Sequence, residues 1–449
     1  MALLTSLLRT VENHNLSVNE RVEFFCDATR ELEYRGEYEE AQRALRDFWP
    51  RIGEAPKVAG LEESTAAELL LRAGVLTGII GAYRSIPEAQ TIAKDLITQS
   101  HAIFESRQNE KKVAEARTEL GFCHWRTHDL KEARACQKQA LSLLTRDSEL
   151  KAKAVLRLSN VEHSAERDQL AFKILEKHAR LFQRINNHTL KGCFHTAIGN
   201  RLENLADVEK RSDYIDRALI DYAAASYHFE KGKHRPYLAS VENNLGFLYY
   251  KIKDYEQAHE HLDRARRIFG SLKDVGSAAQ VDETRACVFL AQGRIKEAER
   301  RVLRALRVQE RAGNVFLLTE ALITYGRVLA RGENCATAYG TFRRAIELAD
   351  NAGLANRATE AIVAAYRELG EHLVISERGQ LLSGRGPGQD KLELEREVIK
   401  FALEQTNGKV TPAAQLAGMS HQAFTYALRT RHKDLQDKRK PPRQSKEQE

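Results

Sequence analysis

Proline is scarce in this chain, with 8 residues in a sequence of 449. Because proline breaks helices, so few of them leave long stretches of the chain free to be helical. Long hydrophobic runs are also missing: no eighteen consecutive residues are apolar, so we expect no membrane span. The first residues, "MALLTSLLRTVENHN", lack the basic leader and the long apolar core of a signal peptide.

Cysteine pairs of the CxxC type are absent as well. Six cysteines are scattered through segments with a helical pattern, without the spacing of a zinc site or of a disulfide framework. This usage indicates small, neutral thiols in a reducing compartment, and we therefore expect a cytoplasmic protein. The six are Cys26, Cys123, Cys136, Cys193, Cys287 and Cys335.

Motifs that carry catalysis or cradle phosphate are missing too, because no GxxxxGK[ST], GxSxG, HExxH or GxGxxG pattern occurs. The stretch "GRGPGQDK", Gly384–Lys391, is rich in glycine, but no Ser or Thr follows its lysine and an acidic helical pattern comes next. It is therefore interpreted as a linker. We expect no enzymatic activity and no cofactor.

One stretch, "FCHWRTHD", places Cys123, His124 and His128 close together. Histidines four residues apart share a helix face, so a metal site is conceivable there. No third cluster accompanies them, and the neighbouring Phe122 and Trp125 indicate packing. The sequence thus predicts no metal.

What the chain does have is an uneven charge. The net charge is +7, and the segment from Gly408 to Glu449 holds nine Lys/Arg against four Asp/Glu. The excess positive charge therefore lies mostly in the last tenth of the chain. Such asymmetry points to an anionic partner at that end.

Small residues recur about every forty residues, which is the signature of a repeat protein. Twelve residues after most of them another small residue follows, and seven residues further on an alanine recurs. After Gly199 the partner is Ala218, if the extra residues of that longer repeat lie between its two helices. The first small residues are Gly121, Ser159, Gly199, Gly246, Ala286 and Gly326; their partners are Ala133, Ala171, Ala218, Ala258, Ala298 and Ala338; the later alanines are Ala140, Ala225, Ala265, Ala305 and Ala345.

The pattern predicts helical hairpins, in which small residues let two helices approach closely and bulky residues form an apolar stripe. It resembles the tetratricopeptide repeat (TPR) family in "LG..Y" at Leu245–Tyr249 and in "YG" at Tyr325-Gly326, with Phe342 in the partner helix. The resemblance implies an all-α, right-handed α-solenoid. We expect degenerate hairpins over 1–105, around Ala41 and Ala89, and the main array over 106–375.

The concave face of such an array binds a peptide or another protein in the family. On this alignment the groove residues are Asn160, Asn200, Asn243 and Arg327, whose polar side chains suit an extended peptide backbone. The alternative for each of them is a solvated face with no partner.

The last part of the chain has a different pattern. A linker is expected at 376–391, and the segment "LELEREVIKFALEQT" that follows it is amphipathic. Gly408 follows the end of this segment, where it can close a helix. Thr411 is suited to cap a short helix, and Ser420 is suited to cap a longer one that begins at His421. A short helix, a tight turn with Gly418 and a longer helix predict a helix-turn-helix over 392–434. A basic, flexible tail is expected over 435–449.

This segment resembles the Fis-type helix-turn-helix that ends many bacterial enhancer-binding regulators, in Gly408, Lys409, Thr411, Ala413, Ala414, Leu416, Gly418, Met419, Ser420, Phe424 and Leu428. The resemblance implies contacts to double-stranded DNA from the start and outer face of the third helix. His421 and Gln422 are the candidates for base-edge contacts, because both side chains can donate and accept hydrogen bonds. The alternative for both is that they are merely exposed helix residues. Several positions that are basic in relatives are not basic here. The candidate DNA-binding residues are Lys409, Thr411, Ser420, His421, Gln422, Thr425, Tyr426, Arg429, Arg431 and Lys433.

The sequence therefore predicts a DNA-binding transcriptional regulator. A homodimer is expected, because single helix-turn-helix units commonly pair on half-sites. The alternative is a TPR scaffold or adaptor whose terminal helices dock a protein rather than DNA. Binding of single-stranded RNA is a further alternative, for which Tyr426 is the one stacking aromatic.

Overall fold

The computed structural model describes residues 16–84, 86–370, 392, 395–396, 398–400, 402–404, 406, 408–417 and 419–439. Within these residues every regular element is a helix and no strand is present. The expected all-α class is therefore confirmed. The chain divides into two compact units, Met1–Leu248 and Tyr249–Glu449. The predicted linker at 376–391 and the tail residues 440–449 lie outside the described residues.

The first unit consists of antiparallel helices that follow each other closely along the chain. Its helices are α1 (Val18–Tyr34), α2 (Tyr38–Ala44), α3 (Glu63–Tyr83), α4 (Ala89–Ser106), α5 (Glu110–Arg126), α6 (Leu130–Leu143), α7 (Glu149–Ser164), α8 (Asp168–Lys177), α9 (Ala179–Arg184), α10 (His188–Glu209), α11 (Asp213–Lys231) and α12 (Arg235–Lys251), the last of which runs across the division.

The second unit contains further array helices and ends, along the chain, in the C-terminal domain. Its array helices are α13 (Tyr255–Ser271), α14 (Val275–Ala291), α15 (Ile295–Ala312), α16 (Val315–Arg331), α17 (Cys335–Asn351) and α18 (Ala355–Gly370).

Several turns between helices share one chemical pattern. A residue in the left-handed region closes one helix, and an Asp or Asn then caps the next by accepting a backbone N–H three residues on. Lys253 (φ 67°) precedes Asp254, and Glu333 (φ 62°) precedes Asn334, both of which cap in this way. Glycine takes the left-handed position at Gly293.

The small residues predicted from the spacing lie where two helices touch. The eleven alanines predicted at the two repeat positions are all fully buried. At Gly326 an added Cβ would lie 2.6 Å from a ring carbon of Phe342. At Ser159 the hydroxyl donates to the carbonyl oxygen of Ala171 at 3.1 Å, so the twelve-residue spacing marks a direct contact across the turn.

The longer repeat departs from the prediction. Its extra residues were expected between the helices, but α10 and α11 are 22 and 19 residues long and the turn between them is short. The extra residues therefore lengthen the helices. As a result Gly199 faces the ring of Tyr222, whose nearest carbon would lie 2.7 Å from an added Cβ.

Hairpins also occur in the amino-terminal region. Thr29 donates to the carbonyl oxygen of Ala41 at 3.5 Å, and Gln90 donates to that of Gly78 at 2.7 Å. Both contacts join residues twelve apart, as in the main array. Helix α3 is long and apolar enough to cross a membrane, but 89% of its most hydrophobic window is buried inside the unit, as in the core helix of a repeat protein.

The first hairpin meets a distant part of the same unit. Thr189, at the start of α10, donates to the carbonyl oxygen of Tyr34 at 2.6 Å. Close by, the imidazole of His234 packs on Gly36, where an added Cβ would lie 2.7 Å from the ring. The array within this unit is therefore closed by contacts between its first hairpin and its fifth.

Candidate functional site

The C-terminal domain consists of short helices around one small core. The described residues between 392 and 404 are helical, and they are followed by α19 (Val410–Leu416), α20 (His421–Thr430) and a 3-10 helix (Lys433–Arg439). The buried core comprises Val398, Ile399, Ala402, Leu403, Ala413, Ala414, Ala417, Phe424, Ala427, Leu428 and Leu435.

Two details of this domain differ from the prediction. Helix α19 begins at Val410, so Thr411 lies inside its first turn rather than capping it. The folded domain also extends beyond residue 434, because Leu435 is 2% exposed and packs in the core, and Gln436 donates to the carbonyl oxygen of Leu428 at 3.1 Å. A hydrophobic side chain of this size does not remain in a solvated tail when a core is within reach.

Two of the predicted helix boundaries in this domain are observed. Gly408 has a φ of 74°, and its N–H donates to the carbonyl oxygen of Leu403 at 2.8 Å, which closes the first helix. Ser420 caps α20, since its hydroxyl accepts the N–H of Ala423 at 3.1 Å. Gly418 lies outside the described residues.

Helix α20 has a buried and an exposed face. Phe424, Ala427 and Leu428 face the core. The opposite face carries exposed His421, Gln422, Ala423, Tyr426, Arg429 and Thr430, and Tyr426 is 62% exposed. Positions 422, 426 and 429 lie one turn apart, so their side chains share a stripe along the helix.

The remaining candidate residues are placed less uniformly. Lys409, Thr411, Ser420 and Lys433 are exposed. Thr425 is half-buried, and its hydroxyl is covered and has no hydrogen-bond partner in the described part of the chain.

Arg431 is the candidate cation that pairs with another residue of the domain. Its guanidinium donates to Oε1 of Glu395 at 2.6 Å and lies 5.8 Å from the centre of the Tyr426 ring. By contrast, Lys409, Arg429 and Lys433 make no ion pair with any residue that the structure describes. These three cations are therefore available to an external anion.

The domain core also receives side chains from the array. Ile362 and Tyr366, on α18, pack against it. Burial raises the pKa of Tyr366, helped by the nearby carboxylate of Glu395. The exposed stripe of α20 stays exposed with α18 in place.

A concave feature lies within the first unit. A cavity of about 320 Å³ opens among the first helices of successive hairpins. We call it the chamber. Its walls combine aromatic, aliphatic and cationic side chains: Glu33, Tyr34, Tyr38, Ile79, Phe122, Arg126, Lys153, Leu156, Arg157, Asn160, Thr189, Leu190, Cys193, Thr196, Ala197, Asn200, Phe229, His234, Tyr237, Ser240 and Val241.

The structure brings two of the four predicted groove residues together. Asn160 and Asn200 both line the chamber. Asn243 is half-buried away from the chamber and its side-chain oxygen has no partner among the described residues. Arg327 belongs to the second unit, where it lies 3.7 Å from Glu360.

Arg126, in the "FCHWRTHD" stretch, also lines the chamber and was not among the residues predicted from the sequence. The signal available was its position one turn after Phe122, with no acidic residue one turn before it. In the same stretch His124 pairs with Asp129 at 3.1 Å, and His128 adopts a left-handed turn conformation. The described residues contain no cluster of His, Cys, Asp and Glu that could hold a metal ion.

Known proteins resemble both the helical array and the C-terminal domain of this chain. Residues 392–430 match the family described as "Bacterial regulatory protein, Fis family". No curated protein matches the chain significantly.

Solved structures resemble the array. A Rap protein complexed with Competence and Sporulation Factor is 13% identical, with a TM-score of 0.54 over 79% of this chain and 93% of that one. Aspartyl phosphate phosphatase F from Bacillus subtilis is 14% identical, with a TM-score of 0.51 over 85% and 95%. A STAND protein with a tetratricopeptide repeat sensor from Pyrococcus horikoshii is 12% identical, with a TM-score of 0.53 over 83% and 54%.

At these identities the similarity concerns the fold. The protein is thus an all-α chain in which a TPR-like helical array precedes a small helix-turn-helix domain. That terminal domain is of the Fis type.

Proposed function

We propose that this protein is a cytoplasmic transcriptional regulator that binds double-stranded DNA through its C-terminal domain. The observation that supports it most is the exposed stripe of α20 in a domain that matches the Fis family. In a helix-turn-helix, the second helix of the motif enters the major groove with its amino-terminal residues at the base edges. Here those residues are His421 and Gln422, directly after the Ser420 cap.

The free cations are suited to phosphate contacts. Lys409 and Lys433 lie just outside α19 and α20, and Arg429 lies on the last turn of α20. Basic groups placed around a reading helix fix its register on the duplex without reading sequence. The basic residues of 440–449 would add to this positive charge.

We propose that the array binds a peptide, a protein or a smaller ligand and has a sensing rather than a catalytic role. The similarity to a tetratricopeptide repeat sensor is one of fold, and the chamber supplies a concave surface for such a ligand. Pairing of two chains would place two helix-turn-helix units about one DNA turn apart.

The test is an anisotropy titration of labelled genomic DNA fragments with the full chain and with the Met1–Gln389 truncation. The titration is done at two salt concentrations, and the full chain should bind more weakly at the higher one. The logarithm of the binding constant should fall with the logarithm of the salt concentration, with a slope of about one for each phosphate contacted. The truncation should not bind.

A full-chain double variant, Arg429→Gln with Lys433→Gln, should lower the salt slope by about two. Its matched control is Arg396→Gln, which removes a cation that is already paired to Asp434 at 2.7 Å. Binding that is absent, or that does not depend on salt, would refute DNA binding and favour a scaffold whose terminal helices dock a protein.

A further inference from the structure

Arg126 is a half-buried cation in the wall of the chamber, and it has no carboxylate partner among the described residues. Its Nε is inaccessible to solvent and makes no hydrogen bond within the described part of the chain. Its guanidinium packs on the face of Phe122, whose ring centre lies 4.6 Å from the guanidinium carbon. Burial lowers the pKa of Arg126. Removing a guanidinium from water without an anion to replace the solvent is costly.

The other charges of the chamber do not supply that anion. Arg157 and Lys153 both pair with Glu119, at 2.7 Å and 2.6 Å. Burial opposes the ionisation of Glu119, yet these two cations hold its pKa at about 2. Glu119 itself does not line the chamber, and the one carboxylate among the lining residues is that of Glu33, which lies 3.3 Å from Arg72. The lining carboxylate is therefore already paired.

Two guanidinium groups flank one ring. Arg157 lies 4.3 Å from the centre of Phe122, on which Arg126 also rests. Their like charges repel, and Arg157 contributes to the lowered pKa of Arg126. An anion bound beside them would remove this repulsion.

Asn160 adds hydrogen-bond donors to the same wall. Arg201, which has only donors, gives a hydrogen bond to Oδ1 of Asn160 at 2.7 Å. This contact fixes the orientation of the amide, so the carbonyl oxygen faces Arg201. The amide N–H groups of Asn160 are left without a partner among the described residues, and they suit an acceptor on a ligand.

The rest of the wall is apolar or aromatic. Ile79, Leu156 and Val241 contribute aliphatic surface, and Tyr38 and Tyr237 contribute rings that are hydrogen-bonded to each other. A volume of about 320 Å³ is at the small end of the range for ligand pockets, roughly 300–1,000 Å³. The chamber thus combines an uncompensated cation, free amide donors and a compact apolar space.

We propose that the chamber binds a carboxylate carried by a compact apolar or aromatic group, with Arg126 as its counter-ion and Asn160 as a second donor. The same chemistry occurs in a free organic acid and in the C-terminal residue of a short peptide. The proposal rests on the proposed function only in assigning a ligand to the array, and it does not require DNA binding.

The test uses isothermal titration calorimetry on the full chain at neutral pH, without DNA. The probes are 3-phenylpropionate, which stands for a free acid, and N-acetyl-phenylalanine, which stands for a peptide terminus. Their uncharged partners are 3-phenylpropionamide and N-acetyl-phenylalaninamide. At least one carboxylate should bind, and its amide should bind at least tenfold more weakly because it cannot pair with Arg126. The carboxylate that binds more tightly identifies the source.

Arg126→Gln should weaken binding of that carboxylate at least tenfold. Arg211→Gln is the matched control, since Arg211 lies in the same unit on an exposed turn and pairs with Asp213 at 2.5 Å. This control variant should bind the carboxylate as tightly as the parent chain does. The melting temperature of ligand-free Arg126→Gln should equal or exceed that of the parent chain, because an uncompensated, partly buried charge has been removed.

The proposal is overturned if neither carboxylate binds the parent chain, if an amide binds as tightly as its acid, or if Arg126→Gln binds like the parent. Should Arg126→Gln fail to fold, the comparison of acid with amide still decides, because it needs no substitution. DNA binding can succeed or fail in its own assay without changing this result.

Discussion

Oε2 of Glu395 lies 3.0 Å from Nε2 of His432, and the two side chains are 4% and 3% exposed. Oε1 of the same carboxylate accepts a hydrogen bond from Arg431 at 2.6 Å. Glu395 is in the first helical segment of the C-terminal domain, and the other two residues follow α20. The carboxylate therefore joins the beginning of the domain to the end of the helix that is proposed to enter DNA.

Glu395→Gln should destabilise this domain, because it leaves Arg431 and His432 without their charged acceptor. Breaking a buried pair of this kind costs about 2–4 kcal/mol. Hydrogen exchange followed by mass spectrometry of the full chain should show faster exchange over α20. Asp434→Asn is the control, since it breaks the exposed pair with Arg396 and should change stability by less than about 1 kcal/mol. Equal exchange in both variants would show that Glu395 has no such role.

Gln422→Ala should reduce the preference for a specific DNA site more than general affinity. Loss of a base-edge contact costs about 1–3 kcal/mol on the specific site and little on unrelated DNA. Arg429→Gln should instead weaken both by a similar factor, as expected for a phosphate contact. Competition titrations with specific and unrelated duplexes separate the two patterns. If the effects of the two variants are interchangeable, the assignment of His421 and Gln422 to base edges is wrong.

Gly326→Ala should destabilise the second unit. The new methyl group would lie 2.6 Å from the ring of Phe342, which is 1% exposed, and such overpacking costs about 1–3 kcal/mol. Gly340→Ala is a matched control on the partner helix, because an added Cβ there meets nothing within 4 Å. It should stabilise the helix by up to about 1 kcal/mol. Urea unfolding measures both, and a neutral Gly326→Ala would disprove the close approach.

Protonation of His234 should destabilise the first unit in acid. Burial lowers the pKa of His234 to about 4 from 6.5, and its Nδ1 accepts the N–H of Tyr237 at 3.2 Å, which requires the neutral ring. The unfolded chain therefore binds this proton first as the pH falls. The free energy of unfolding should decrease between about pH 6.5 and pH 4, by up to about 3 kcal/mol.

His234→Gln should reduce that pH dependence when urea unfolding is repeated at several pH values. His228, whose pKa is also lowered to about 4 by burial and by His195 and His188, is more accessible, so His228→Gln should have the smaller effect. A pH dependence that persists unchanged without His234 would assign it to other groups.

The sequence predicted those features that depend on local spacing. Ala338 and Ala345 are fully buried where the repeat placed them, because helical periodicity fixes which residues of a hairpin face each other. The Ser420 cap was predicted for the same reason, since its partner is three residues away. The assignment of DNA-binding and groove residues remains a prediction.

Features that join distant residues could not be predicted in this way. The contact between Thr189 and Tyr34 spans 155 residues, and no periodic pattern encodes it. The lack of a carboxylate partner for Arg126 depends on which helices surround it. The ion pair between Arg431 and Glu395 likewise depends on how the helices of the C-terminal domain pack. Propensity and spacing determine the hairpins, whereas long-range packing determines where unpaired charge remains.

The hydrogen bond from Thr189 to Tyr34 also bears on how the first unit loses its structure. In an open solenoid each repeat touches only its neighbours, so terminal repeats can fray or be deleted one by one. Here the amino-terminal hairpin is bound on two sides. Shortening the chain by that hairpin would uncover surface on α10 as well as on α3, so damage at one end would spread through the unit instead of stopping at the next repeat.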